Sequence, residues 1–156
     1  MSVAFRREND DEHLEPKFEL PIPPGPNLVT ARGLALIEAR AAEMEAVLDA
    51  AEGDEARKKA LRDARYWRQR LGSAEIAPIP NGEKVAFGMR VTIERDGETR
   101  TVDLVGHDES EPAEGRIAFT APLARALMGA EEGDEVEFAG SDEPFEVVRI
   151  ELIPAT

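Results

Sequence analysis

Glu52, Asp54 and Glu55 crowd around one glycine, between two long stretches of helix-forming residues. Carboxylates on a protruding turn can present oxygen ligands to a divalent cation held elsewhere, since such ions take hard oxygen donors. Acids also gather at a helix N-terminus for electrostatic reasons alone, and that accounts for the same pattern. Directly after them come seven bases in fourteen positions: Arg57, Lys58, Lys59, Arg62, Arg65, Arg68 and Arg70. A run this dense can face phosphates or an acidic partner, with Arg57, Lys58, Arg62 and Arg65 as the candidate basic face. It reads equally well as a solvated face laced with pairs such as Lys59 and Asp63, four apart on one helix.

Other chemistries find little support. His13 and His107 are far apart and lack metal-ligand spacing, so both read as solvent-exposed. Ser2, Ser73, Ser110 and Ser141 stand in no nucleophile-elbow context, and no glycine-rich loop precedes a Lys-Ser or Lys-Thr pair. The Asp108-Glu109-Ser110-Glu111 segment lacks the calcium-loop pattern and reads as a solvated acidic loop. No catalytic residue and no metal site is assigned from the residues alone.

The 156 residues carry 19 bases against 33 acids, a net charge of −14, which argues against a stand-alone nucleic-acid binder. With no cysteine, disulfides, thiolate nucleophiles and cysteine-ligated zinc are excluded. Aromatics at 5% are thin for a base-stacking surface. No apolar run is long enough to span a membrane, and the first ten residues contain no signal-like apolar core. A cytoplasmic protein without membrane contact is expected.

The charge divides the chain. Residues 1–27 hold six acids and three bases, residues 28–75 hold nine of each, and residues 76–156 hold eighteen acids and seven bases. Residues 1–27 end in a proline-rich stretch (Pro21, Pro23, Pro24, Pro26), which reads as an extended acidic arm. In residues 28–72, Thr30 looks like an N-cap, and Leu34, Ile37, Ala41, Met44 and Leu48 form a 3-4 seam. After the Glu52-Gly53-Asp54 break, where Asp54 reads as the next cap, Ala60, Ala64, Trp67 and Leu71 form a second seam, with Gly72 and Ser73 ending it. So short a connection makes the helices antiparallel, with Tyr66 and Trp67 near the base as docking side chains. At ~1.5 Å per residue, helices of about 20 and 17 residues give a hairpin of roughly 25–30 Å.

Residues 73–83 read as a linker, and from residue 84 the period turns to alternation. Strands are expected over 85–87 and 89–94, then 99–105, 116–119, 135–138 and 145–152, with an Asp96-Gly97 hairpin turn. Pro122 opens, and Gly129 closes, one short helix over 123–128. The fold class is therefore α+β: an N-terminal antiparallel helical hairpin, and a C-terminal antiparallel sheet with one short helix.

At these residues the chain resembles a known family. Lys84-Val85-Ala86-Phe87-Gly88, Val105-Gly106-His107-Asp108-Glu109, Ala121-Pro122-Leu123-Ala124-Arg125-Ala126-Leu127-Met128-Gly129 and Glu132-Gly133-Asp134-Glu135-Val136 match, in order, the V-x-F-G, I-V-G-x-D-E, S-P-x-A-R-A-L-L-G and V-G-D-x-V pattern of the GreA/GreB C-terminal domain. Leu28-Val29-Thr30-Ala31-Arg32-Gly33 resembles that family's opening L-V-T-x-x-G. The resemblance implies a coiled coil that enters the secondary channel of bacterial RNA polymerase, and an FKBP-like domain over residues 84–156 that holds the channel rim. It implies transcription elongation regulation in the cytoplasm, bacterial RNA polymerase as partner, indirect contact with RNA or DNA, no cofactor of its own and no enzyme activity of its own; a monomer is expected. It places Thr120, Pro122 and Leu123 at the docking surface.

The family's tip motif, G-D-L/R-S-E-N-A-E/D-Y, is replaced here by Glu52-Gly53-Asp54-Glu55-Ala56. The hairpin is also shorter than the family's by roughly ten residues per arm, about 15 Å of reach. Metal ligation needs contact at ~2.0–2.6 Å, so the expectation is binding without standard transcript cleavage. Three alternatives stand beside it: residual cleavage stimulation through Asp54 and Glu55, an FKBP-like isomerase or chaperone, and a basic-helix adaptor that touches RNA.

Overall fold

The computed structural model describes residues 19–138 and 142–154. The first eighteen residues of the acidic arm, with Ser2 and His13, lie outside the described residues, as does Ser141. The described residues form two compact units, one comprising residues 19–25 with Ile37–Ser73 and the other Pro26–Leu36 with the described residues from Ala74 onward.

Helix α1 covers Ala31–Ala50 and helix α2 covers Asp54–Ser73. Thr30 caps α1: its Oγ1 accepts the Gly33 amide at 3.0 Å, and its carbonyl accepts the Leu34 amide at 2.9 Å. Ile37 and Ala41 of the first seam are buried, as are Ala60 and Ala64 of the second. The cap at α2 differs from expectation. Gly53, at φ 90°, precedes the helix and accepts the Arg57 amide, so Asp54 and Glu55 belong to the first turn. There they favour the helix dipole without capping it. The far end differs too. The helix runs through Gly72 to Ser73, Leu71 is exposed, and Arg70 takes the buried position instead. A 3-4 spacing drifts by about 20° per heptad on a straight helix, enough to carry Leu71 off the seam.

The second unit holds two sheets. β1 (Asn27–Val29) and β2 (Ala74–Ile76) pair in parallel, Leu28 opposite Glu75. Neither strand was expected: β1 begins on the last residue assigned to the arm, and β2 occupies the start of the assigned linker. The larger sheet has the order β5-β4-β3-β7-β6. Its strands are β3 (Met89–Arg95), β4 (Glu98–Val105), β5 (Arg116–Ala118), β6 (Glu135–Val136) and β7 (Phe145–Leu152). Asp96 and Gly97 make the β3–β4 turn with φ of 56° and 79°, the double positive that a two-residue hairpin of this hand requires.

The sheet is mixed, not wholly antiparallel, because β5 runs parallel to β4. The chain between them, through 3-10 turns at His107–Glu109 and Pro112–Glu114, crosses back before β5 begins, as a parallel pair demands. Val85 is not in a strand. Its amide donates to Ala130 O and its carbonyl accepts from Gly129. Helix α3 (Pro122–Leu127) packs Leu123, Ala124 and Leu127 on the sheet face formed by Met89, Val91, Ile93, Leu104 and Val147. On the other face, Arg90 grips Asp103 across the β3–β4 register with two bonds of 2.8 and 3.1 Å, and that bond holds the guanidinium pKa above its ordinary value. No helix among the described residues is long and apolar enough to cross a membrane.

Candidate functional site

In the helical unit, Glu52, Asp54 and Glu55 are all exposed around the Gly53 turn. Among the described residues no three His, Asp or Glu side chains are grouped to hold a metal ion. The three tip acids therefore form a negatively charged end, not a preformed cation site.

The basic stretch on α2 separates into parts. Arg57 and Lys58, nearest the tip, are exposed and make no ion pair among the described residues. Lys59 Nζ meets Asp63 at 3.1 Å, and Arg62 Nε lies 3.7 Å from the same carboxylate. Arg65 Nη1 donates to Glu19 Oε2 at 2.8 Å, and Arg68 grips Glu45 of α1, with Nη2 to Oε1 at 2.8 Å. Hydrogen bonding from Arg68 pulls the Glu45 carboxyl below its ordinary pKa and pushes the guanidinium up. Of the four candidate basic residues, Arg62 and Arg65 already have acidic neighbours, and Arg57 and Lys58 remain available.

In the second unit, Thr120 and Pro122 are exposed where the chain enters α3, and Ala121 N bonds back to Ala118 O to make that entry a turn. Leu123, the third residue expected at the docking surface, is 7% exposed and packs in the core. Pro122 at the first helical position points out, and the next residue turns inward, as 100° per residue dictates. Arg125 and Met128 share the exposed side with Pro122.

A further group was not foreseen. Glu109, assigned to a solvated acidic loop, is 6% exposed. Thr30 Oγ1 donates to its Oε1 at 2.6 Å, and Arg32 Nη1 donates to its Oε2 at 3.1 Å. Gly33 sits so close that a Cβ there would stand 2.8 Å from Oε1. Gly106, three residues before Glu109, lies against β1, where a Cβ would come within 2.4 Å of Leu28 O. α1 has no acid in its own first turn, and Glu109 supplies that negative charge from a distant loop. The signal available in the sequence was the pairing of two recognisable segments, Leu28–Gly33 and Val105–Glu109. Each carries a glycine, and in each the glycine makes room for the other segment.

The sequence model described as "Transcription elongation factor, GreA/GreB, C-term" matches residues 79–152. Proteins named Transcription elongation factor GreA are similar over more of the chain. That of Vibrio cholerae is 36% identical across 60% of this chain and 62% of its own length. That of Nitratidesulfovibrio vulgaris is 36% identical across 62% and 71%, and that of Sinorhizobium medicae is 32% identical across 75% and 78%. The chain belongs to the GreA/GreB family. It spans about three fifths of the length of the Vibrio relative it matches. Among solved structures it is similar to the GreA factor homolog 1 (Gfh1) protein of Thermus thermophilus, at 20% identity and a TM-score of 0.39, across 81% of this chain and 99% of that one.

Proposed function

We propose that this chain binds bacterial RNA polymerase through its C-terminal unit and regulates transcription elongation from the secondary channel, without standard stimulation of transcript cleavage. The match of residues 79–152 to the GreA/GreB C-terminal description carries the reading, together with relatives named as elongation factors. Exposed Thr120 and Pro122 at the entry to α3 are the residues assigned to the polymerase rim. Exposed Arg57 and Lys58 supply positive charge beside the tip for nucleic acid inside the channel. The protein acts on another enzyme's reaction, needs no cofactor of its own and works in the cytoplasm as a monomer.

The absence of cleavage is inferred from reach. Each arm is a 20-residue helix, and a hairpin roughly ten residues per arm shorter than the family's leaves its tip acids about 15 Å short of an ion whose ligands must come within ~2.6 Å. The test is a stalled elongation complex supplied with the full chain. Co-purification with polymerase and unchanged RNA length are expected; no binding at micromolar concentration overturns the reading.

A second reading is favoured by the exposure of Asp54 and Glu55, which leaves both carboxylates open to solvent at the turn. In that case the same assay shows RNA shortening, and Asp54→Ala abolishes it.

A further inference from the structure

The outer edge of β7 is covered unevenly. β7 runs from Phe145 to Leu152, yet β6 pairs only with Phe145 and Glu146. Bonds from Gly133 N to Val147 O and from Val147 N to Asp134 O close the edge as far as Val147. Beyond that, among the described residues, no strand flanks Val148–Leu152 on this side, although β3 accompanies β7 on the other side to Leu152. The amide directions alternate. Ile153 N donates inward to Gly88 O, whereas Ile150 N turns outward and donates to Glu132 Oε2 at 2.8 Å. Alternation puts the Leu152 amide on the same outer edge. Such an edge is a template for another strand. Here a side-chain carboxylate occupies its central donor.

The five edge residues read Val148-Arg149-Ile150-Glu151-Leu152, a nearly palindromic order. A second copy laid antiparallel about Ile150 sets Arg149 opposite Glu151 and Ile150 opposite itself, while Val148, which β3 leaves unpaired at a bulge between Val147 and Arg149, falls outside the regular ladder. Val148 and Leu152, at the two ends of this edge, are 47% and 46% exposed, whereas Ile150 is 8% exposed. Arg149 and Glu151 have opposite charges and are already close within one strand, Nη2 to Oε1 at 3.4 Å. Opposite charges directly across an antiparallel ladder favour pairing. Because the arrangement is its own mirror under a two-fold axis, it closes as a dimer and cannot propagate. The donor at its centre is the Ile150 amide, the group that Glu132 now occupies.

We propose that the Arg149–Leu152 edge of β7 is a self-association surface for a second copy of this chain, held shut by the Glu132 carboxylate. Removing the carboxylate frees the central amide, and the charge order fixes the register.

The test is sedimentation and light scattering of the full chain over a concentration series, with circular dichroism to confirm folding. Wild-type chain is expected at monomer mass, and Glu132→Ala at twice that mass, with dimer dissociation tightened by at least about tenfold. In the Glu132→Ala background, Arg149→Glu sets acid against acid and returns the monomer; adding Glu151→Arg restores opposite pairs and the dimer. In that same Glu132→Ala background, Arg149→Glu and Glu151→Arg chains, each monomeric alone, associate when mixed. The proposal is overturned by a folded Glu132→Ala chain that stays monomeric to its solubility limit, by a dimer indifferent to these charge reversals, or by a wild-type chain that dimerises as tightly as the variant.

Discussion

Thr30 and Glu109, seventy-nine positions apart, share a 2.6 Å hydrogen bond in which the Thr30 hydroxyl donates while the same oxygen accepts the Gly33 amide. One hydroxyl thus caps α1 and ties it to the loop after β4. The Glu109 carboxylate is buried with both oxygens occupied, so truncating it leaves the Thr30 and Arg32 donors short of an acceptor. Glu109→Ala is expected to cost about 3 kcal/mol in chemical denaturation, more than a surface ion pair returns. A double-mutant cycle with Thr30→Val should show coupling of about 1 kcal/mol or more. Additive losses would mean that the two residues act independently.

The same joint predicts an inversion of the usual glycine rule. Gly→Ala inside a helix normally gains stability, by about 1 kcal/mol. At Gly33 the new methyl meets Glu109 Oε1 at 2.8 Å, so Gly33→Ala is expected to lose stability. Gly106→Ala should lose more, because the obstacle at 2.4 Å is the Leu28 carbonyl, and backbone of a paired strand cannot swing aside. Overpacking of this kind costs about 1–3 kcal/mol, readable as a lowered melting temperature.

What the sequence disclosed follows the range of the interactions. The two helices and the Asp96-Gly97 turn were legible because their signals are local: seam spacing, a glycine break, a pair of residues that tolerate positive φ. β1 and β2 were not, since each is three residues long and its partner lies almost fifty positions away, leaving no periodicity to detect. Glu109 was misread for the same reason. Its neighbours Asp108, Ser110 and Glu111 make the loop look solvated, and what buries it comes from the start of α1. The family-like segments signalled that both regions mattered, without showing that they meet.

Leu123 and Thr120 separate the core from the candidate docking surface. Leu123→Ala removes a core side chain and is expected to cost about 2–5 kcal/mol. Thr120→Arg, on the exposed entry to α3, should leave the melting temperature almost unchanged, while weakening polymerase binding about tenfold or more, or about 1.4 kcal/mol. Equal effects of Thr120→Arg on stability and binding would remove Thr120 from the docking surface.

The Glu45–Arg68 contact joins the two helices, and its titration carries a definite sign. The carboxyl's folded-state pKa lies below its ordinary value, chiefly because Arg68 donates to the ionised form. An unfolded chain therefore takes up this proton at a higher pH than the folded one. Stability from the pair is fully present above the ordinary carboxylate pKa and drains away as pH falls through the depressed value. Both groups lie at the surface, so the effect is small and screened by salt. Comparing wild type with Glu45→Gln by thermal unfolding should show wild type ahead at neutral pH in dilute buffer. The difference should shrink with added salt and vanish on acidification. A gap that persists unchanged into acid would mean that Glu45 acts by packing and not by charge.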